Sequence, residues 1–377
     1  MKSLKRELQN HWVSACRHAG RVGRARRKKI IFLAVMVFAF SIAGFAEEGA
    51  ISFAAVGDIM MGLNYPDNSP ILPPKDGALT FADVEEVLKS ADLTFGNLEG
   101  VLLDAGGDAK KCSNPDACYV FRMPERYVNH LVNAGFDLLS VANNHSGDFG
   151  ELGRKSTKNV LEKAGLGFAG FEEIAETHIL EKDGILFGFT AFAPNAATLR
   201  IQDSAKVKSI ISELKRNSDI VIVSMHIGGE GKDFSHITRK SETYIGENRG
   251  NPYEFARFVI DNGADMVFGH GPHVPRAIDL YKGKFIAYSL GNFATNASVN
   301  ISGTNGCAPI IKIKTDVNGN FIEGEIISAI QRGNSGERRP FLDSTDACIK
   351  EIKRLTEADI PETEIQINDD GKITLKK

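Results

Sequence analysis

From residue 51 onward, short apolar runs alternate with helical patterns, and nearly every run breaks off at a polar residue of the kind that binds ligands. The runs lie at 51–56, 93–95, 138–141, 186–192, 220–225, 266–268 and 285–289, and helical patterns lie at 81–90, 126–134, 157–164, 205–217 and 252–262. Continuous apolar runs of this length are strands buried on both faces, and their alternation with helices predicts βα units and a largely parallel sheet. After residue 308 the pattern changes. Runs at 309–315 and 320–327 form a hairpin around residues 316–319, followed by a helix at 347–358 and a strand at 372–375. The tail is expected to supply edge strands of a second sheet within the same domain.

In α/β sheets, ligands bind beyond the carboxyl ends of strands. Asp58, Asn97, Glu99, Asn144, His145, His226, His270 and His273 all fall at such ends. Each has an ordinary reading by itself. Asp58 could cap a helix, Asn97 and Asn144 could shape turns, and a lone His is commonly a satisfied core or loop residue. Their recurrence at the ends of five strands favours one shared site. Carboxylate, imidazole and amide oxygen together suit Mn, Fe or Zn rather than a calcium cage. One or two such cations would polarise a phosphoryl oxygen and activate water at neutral pH. His130, His178 and His236 sit inside helix, strand or loop patterns and are expected to be structural.

Charge is unevenly distributed. Residues 1–46 carry ten Lys/Arg and one acid, Glu7, which leaves the body with 35 basic and 47 acidic side chains. An acidic body lacks the basic footprint of a nucleic-acid binder. The basic stretch at 21–29 precedes an uncharged apolar run from Ile30 to Ala46, closing on Gly44-Phe45-Ala46. That is the pattern of an export signal cleaved after Ala46, or of an uncleaved anchor with the body outside. Cys112 and Cys118 flank a turn-rich loop that could close a small disulfide ring, while Cys307 and Cys348 could pair or stay free.

Six motifs occur in order: AVGDIMMG (55–62), GNLE (96–99), ANNHSGDFG (142–150), SMHIGGE (224–230), GHGPHV (269–274) and YSLGNF (288–293). Together they resemble the motif set of CapA-type capsule (poly-γ-glutamate) synthesis proteins, which are similar to calcineurin-like metallophosphoesterases. The resemblance covers residues 51–300 and implies an α/β four-layer sandwich, with two mixed β-sheets flanked by helices. It makes residues 47–377 one domain, with the motifs in 51–300 and a C-terminal sheet and helix in 308–377.

By position, the resemblance implies divalent metal ligands at Asp58, Asn97, Glu99, Asn144, His226, His270 and His273. It makes His145 the residue that assists the leaving group. Asp148 and Glu230 would hold imidazoles in one tautomer, and Arg276 would orient an anionic substrate. Its implied partners are an anionic cell-envelope polymer or precursor and membrane-embedded synthesis proteins. The sequence departs from phosphoesterases at Met60, where they carry a ligand His; at Glu99, in GNLE rather than Gly-Asp-x-x-Asp; and at Gly271-Pro272, which separate the last two His. These departures remove one ligand and leave open both a metal-dependent hydrolase or transferase and a non-catalytic binding or assembly component.

Overall fold

The computed structural model describes residues 49–112, 118–297 and 299–377, so the expected export segment at 1–46 lies outside the described residues. Fifteen strands among these make up two sheets. In chain order they are β1 (Ile51–Met60), β2 (Leu93–Leu98), β3 (Leu138–Ser140), β4 (Gly167–Ala169), β5 (Thr177–Lys182), β6 (Ile185–Phe192), β7 (Ile220–His226), β8 (Met266–His270), β9 (Ile278–Tyr281), β10 (Lys284–Ala287), β11 (Asn292–Thr295), β12 (Ile310–Thr315), β13 (Phe321–Ile327), β14 (Ile365–Ile367) and β15 (Lys372–Leu375). The helices are α1 (Glu85–Lys89), α2 (Val128–Asn133), α3 (Gly150–Ala164), α4 (Ser204–Asn217), α5 (Pro252–Asp261) and α6 (Ala347–Asp359).

The first sheet runs β14-β15-β13-β12-β1-β2-β3-β4, with β11 also on β1; the second runs β9-β10-β8-β7-β6-β5. Strands β1 to β4 are parallel, as are β6, β7, β8 and β10. Both sheets gain antiparallel strands at their margins, so both are mixed. Side chains alternate between faces with period 2. Phe53, Phe95, Phe189, Ile222 and Phe268 fill the space between the sheets. Val56 and Leu139 pack outward with Leu88 of α1, Leu131 of α2 and Leu161 of α3. Val221, Val223 and Val267 pack outward against α4 and α5. Phe95 of the first sheet stacks on Phe268 of the second at 5.0 Å and meets Phe189 edge-on at 5.7 Å. Helix, sheet, sheet and helix therefore form the four expected layers.

Three expectations change. The tail strands join the first sheet, the one that holds β1, rather than a second. Strand β1 is ten residues long, and its free edge is shared: Ile51–Ala55 pair with β12 and Asp58–Met60 with β11. The helix expected at 81–90 shortens to α1, because Phe81 and Val84 reach the core through turns. Strands β4, β5, β9, β11 and β14 lie outside the expected runs: β5 alternates between exposed and half-buried positions, and the other four are only three or four residues long. Cys112 and Cys118 are joined by a disulfide, whereas Cys307 and Cys348 are free and buried.

The segment Tyr288–Asn292 crosses from the second sheet to the first and binds both. Leu290 N donates to Gly269 O, and Asp58 N donates to Gly291 O, each at 2.9 Å. The crossing leaves no room for side chains beneath it. A Cβ on Gly57 would lie 2.0 Å from Gly291 O, and one on Gly269 would lie 2.1 Å from Tyr288 O. Gly57→Ala is therefore expected to destabilise the fold by about 3 kcal/mol, at the upper end for overpacking, because backbone and not a flexible side chain must yield. Urea unfolding at neutral pH measures this, and a midpoint equal to that of the parent would contradict it.

Candidate metal centre

The same period-2 geometry delivers ligand-type residues to one place. On β7, Ile220 and Ile222 face the inter-sheet space, so Ser224 and His226 do too; on β8, Met266 and Phe268 put His270 on that face. His226 and His270 are paired in register on adjacent strands. In the first sheet, β2 carries Leu93, Phe95 and then Asn97 inward. Strand β1 needs an irregularity to match. Ala55 opposes Phe95 but Asp58 opposes Asn97, so β1 holds one extra residue there. This bulge turns Asp58 from the outward set of Ala54 and Val56 to the inward face. On its other edge Asp58 is paired with Asn292.

Asp58 is fully buried and central to the cluster. Asn97 Nδ2 donates to Asp58 Oδ1 at 2.8 Å. His273 Nδ1 lies 2.9 Å from Asp58 Oδ2 and 3.1 Å from Asn292 Oδ1. His270 Nδ1 stands 3.2 Å from Asp58 Oδ1, and His273 Nε2 stands 3.5 Å from Glu99 Oε1. Asp58, Glu99 and His273 each present a ligand atom within 4.8 Å of the others. Glu99 Oε1, Asn144 Oδ1, both ring nitrogens of His226 and Nε2 of His270 are buried with no hydrogen-bond partner. Buried polar atoms left unpaired cost about 1–3 kcal/mol each, so Glu99, His226 and His270 near one carboxylate, with Asn144 in the cleft that His273 lines, fit a cation that binds them together.

The electrostatics agree. Burial alone would raise the Asp58 carboxyl, yet the imidazoles of His270 and His273 hold it far below the usual carboxylate range. Burial pushes Glu99 up to about 8; the charges of Asp58, Glu230 and Asp148 add to the rise, and His273 opposes it. Burial would lower His273, but the charge of Glu99 and the bond to Asp58 lift it to about 10. His226 is driven well below its ordinary value by burial.

Beside the cluster, His145 Nδ1 donates to Asp148 Oδ2 at 2.7 Å, which leaves Nε2 on the cluster side, 3.9 Å from Glu99 Oε1. Phe121 stacks on the imidazole at 3.8 Å, and its N–H donates to Asp148 Oδ2. Lys110 Nζ pairs with Asp148 Oδ1 at 2.6 Å. Burial lowers the His145 pKa, with Asp148 working against it. A cleft of about 670 Å³ opens here, lined by Lys110, Asn144, His145, Glu230, Tyr244 and His273 among others.

Several expected roles are corrected. Arg276 does not reach the cleft: it is fully buried, and Nη1 and Nη2 bind Glu242 at 3.0 and 2.8 Å. Glu230 holds no imidazole and pairs with Arg249 at 3.1 Å. Asn97, whose amide donates to Asp58 and accepts from Asn143 at 3.2 Å, orients the carboxylate rather than offering a free ligand atom. His130 and His236 lie outside the cluster, bonded to Asp76 O and Asp359. Asn292, Asn143 and Lys110 were missed as site residues. Asn292 ends the YSLGNF run and Asn143 precedes Asn144, so both had a visible signal; nothing in the sequence around Lys110 marks it.

Residues 52–297 match the family described as bacterial capsule synthesis protein PGA_cap. The chain belongs to that family. It is 30% identical over 268 residues to the capsule biosynthesis protein CapA of Bacillus anthracis, a match that covers 66% of this chain and 60% of that protein. It is 29% identical over 298 residues to the PGA biosynthesis protein CapA of Bacillus subtilis, covering 72% and 73%. Among solved structures it is similar to a putative 5'-nucleotidase from Staphylococcus aureus, with a TM-score of 0.43, 14% identity, and 82% and 58% of the two chains covered. Among the described residues, no helix is long and apolar enough to cross a membrane.

Proposed function

We propose that this family member is exported and acts on an anionic cell-envelope polymer or its precursor by metal-dependent hydrolysis or transfer. The observation that carries this is the convergence of buried, unpartnered ligand atoms of Glu99, His226 and His270 near Asp58, with that of Asn144 in the adjoining cleft. One or two divalent cations (Mn, Fe or Zn) would be held by Asp58, Glu99, Asn144, His226, His270 and His273. When bound, such a cation supplies Lewis-acid polarisation of a phosphoryl or carbonyl oxygen. Asp148 fixes the tautomer of His145 so that Nε2 can take up a proton and return it to the leaving group. Membrane-embedded synthesis proteins are the proposed partners.

One observation favours a non-catalytic assembly role. Met60 is fully buried in the core outside the first sheet, so the position that is a ligand His in phosphoesterases contributes nothing to the centre.

Metal analysis of the full chain, purified without chelator, tests the proposal. Near-stoichiometric Mn, Fe or Zn supports it; none, even after incubation with added Mn or Zn, overturns it. The binding has a definite pH dependence. Burial raises Glu99, and the charge of Glu99 and the bond to Asp58 raise His273 despite its burial, so a proton held by this pair must leave before both can ligate. Affinity should therefore rise with pH. At pH 7 binding should release protons, which calorimetry in buffers of different ionisation enthalpy would detect. An affinity that is flat or falling between pH 6 and 9 would contradict it.

A further inference from the structure

Arg276 is fully buried, and Glu242 is 6% exposed at the base of a hairpin formed by Glu242–Tyr244 and Glu247–Gly250. Their two-pronged contact joins three chain segments. Glu242 Oε2 also accepts from Gly229 N at 2.8 Å, three residues beyond His226. Arg276 lies three residues beyond His273. The hairpin returns a bond of its own, because Gly228 N donates to Arg249 O at 3.0 Å. The packing is close: a Cβ on Gly228, whose φ is +108°, would lie 2.9 Å from Glu242 Oε2 and 3.0 Å from Arg276 Nη1. The same two loops are further joined by Ile227 N to His270 O and Gly231 N to Pro272 O, each 2.8 Å.

We infer that Arg276 and Glu242 are a positioning pair that sets where His226 and His273 stand relative to each other, and so sets metal affinity without touching metal or substrate. His226, at the end of β7, and His273, in the loop after β8, must be held to within about 0.5 Å to share a cation, and neither segment is regular structure beyond its strand end. A bidentate guanidinium–carboxylate contact fixes angle as well as distance, which a single hydrogen bond does not. Through Glu242 the pair also binds the hairpin whose Tyr244 lines the cleft, so one contact aligns the cleft wall with the cluster floor. This inference rests on the metal centre proposed above.

The test uses the full chain with Arg276→Met/Glu242→Leu. Removing both members of a buried ion pair is commonly tolerated by the fold, whereas removing one strands a buried charge. Cobalt(II) and zinc affinities are measured by competition with a chromophoric chelator. The visible spectrum of the cobalt form and the circular dichroism of the metal-free protein are recorded beside them. The double variant is expected to keep its fold, bind metal about 10–100-fold more weakly and show an altered cobalt spectrum. Arg276→Lys keeps the charge and loses the fork, and should fall between the parent and the double variant. A folded double variant with parental affinity and spectrum overturns the inference while leaving the metal centre standing. A parent that binds no metal overturns both. If the double variant does not fold, Arg276→Lys decides alone, and parental affinity there overturns the inference.

Discussion

Asp58→Ala is expected to leave the protein without its divalent cation while His145→Gln is not. Asp58 touches residues from both halves of the cluster, meeting Asn97, His270 and His273. Its carboxylate is also the cluster's standing negative charge, since it is held far below the usual range while Glu99 is raised. Alanine removes a ligand oxygen and leaves two buried imidazoles competing without a counter-charge. Loss of an outer partner of a ligand already weakens metal binding by about 10–100-fold, so loss of the central ligand should exceed about 100-fold. Plasma mass spectrometry of purified variants reads this directly. Stoichiometric metal in Asp58→Ala would mean that the cluster is organised around another group.

His145→Gln is expected to lower metal-dependent turnover by about 10²–10⁴-fold, with bound metal unchanged. The imidazole is oriented by Asp148, stacked on Phe121 and set beside the cluster with Nε2 on the cluster side, an arrangement for moving protons rather than for gripping a cation. Glutamine approximates its size against Phe121 but cannot shuttle a proton. Turnover on a phosphoester and on a γ-glutamyl amide, measured beside metal content, gives the result. Parental turnover would remove His145 from the chemistry, and loss of metal would make it a ligand.

Much of this arrangement was legible in the sequence. The apolar runs showed strands buried on both faces, because only a sandwich covered by helices lets every position of a strand escape water. Period-2 counting from Ile220 and Met266 already places His226 and His270 on one face, and neither strand is interrupted. The order of the six motifs carried the family, and the spacing of six residues between Cys112 and Cys118 allowed the disulfide ring that forms.

What remained was decided by contacts between segments distant in the chain. Counted by alternation, Asp58 belongs with Val56 on the outer face, and only the bulge opposite β2 turns it inward. Arg276 had the chemistry of an anion-binding residue, but a bidentate carboxylate 34 residues away in the chain captured it. The tail looked like the edge of a second sheet, but β12 pairs with β1, and β13, β15 and β14 extend the first sheet from there. The sequence by itself determined which central strands form, which side chains end them and which family this is, since period and residue chemistry are local. Register, sheet membership and the partners of buried charges belonged to the tertiary structure, because each depends on which distant segment arrives to satisfy them.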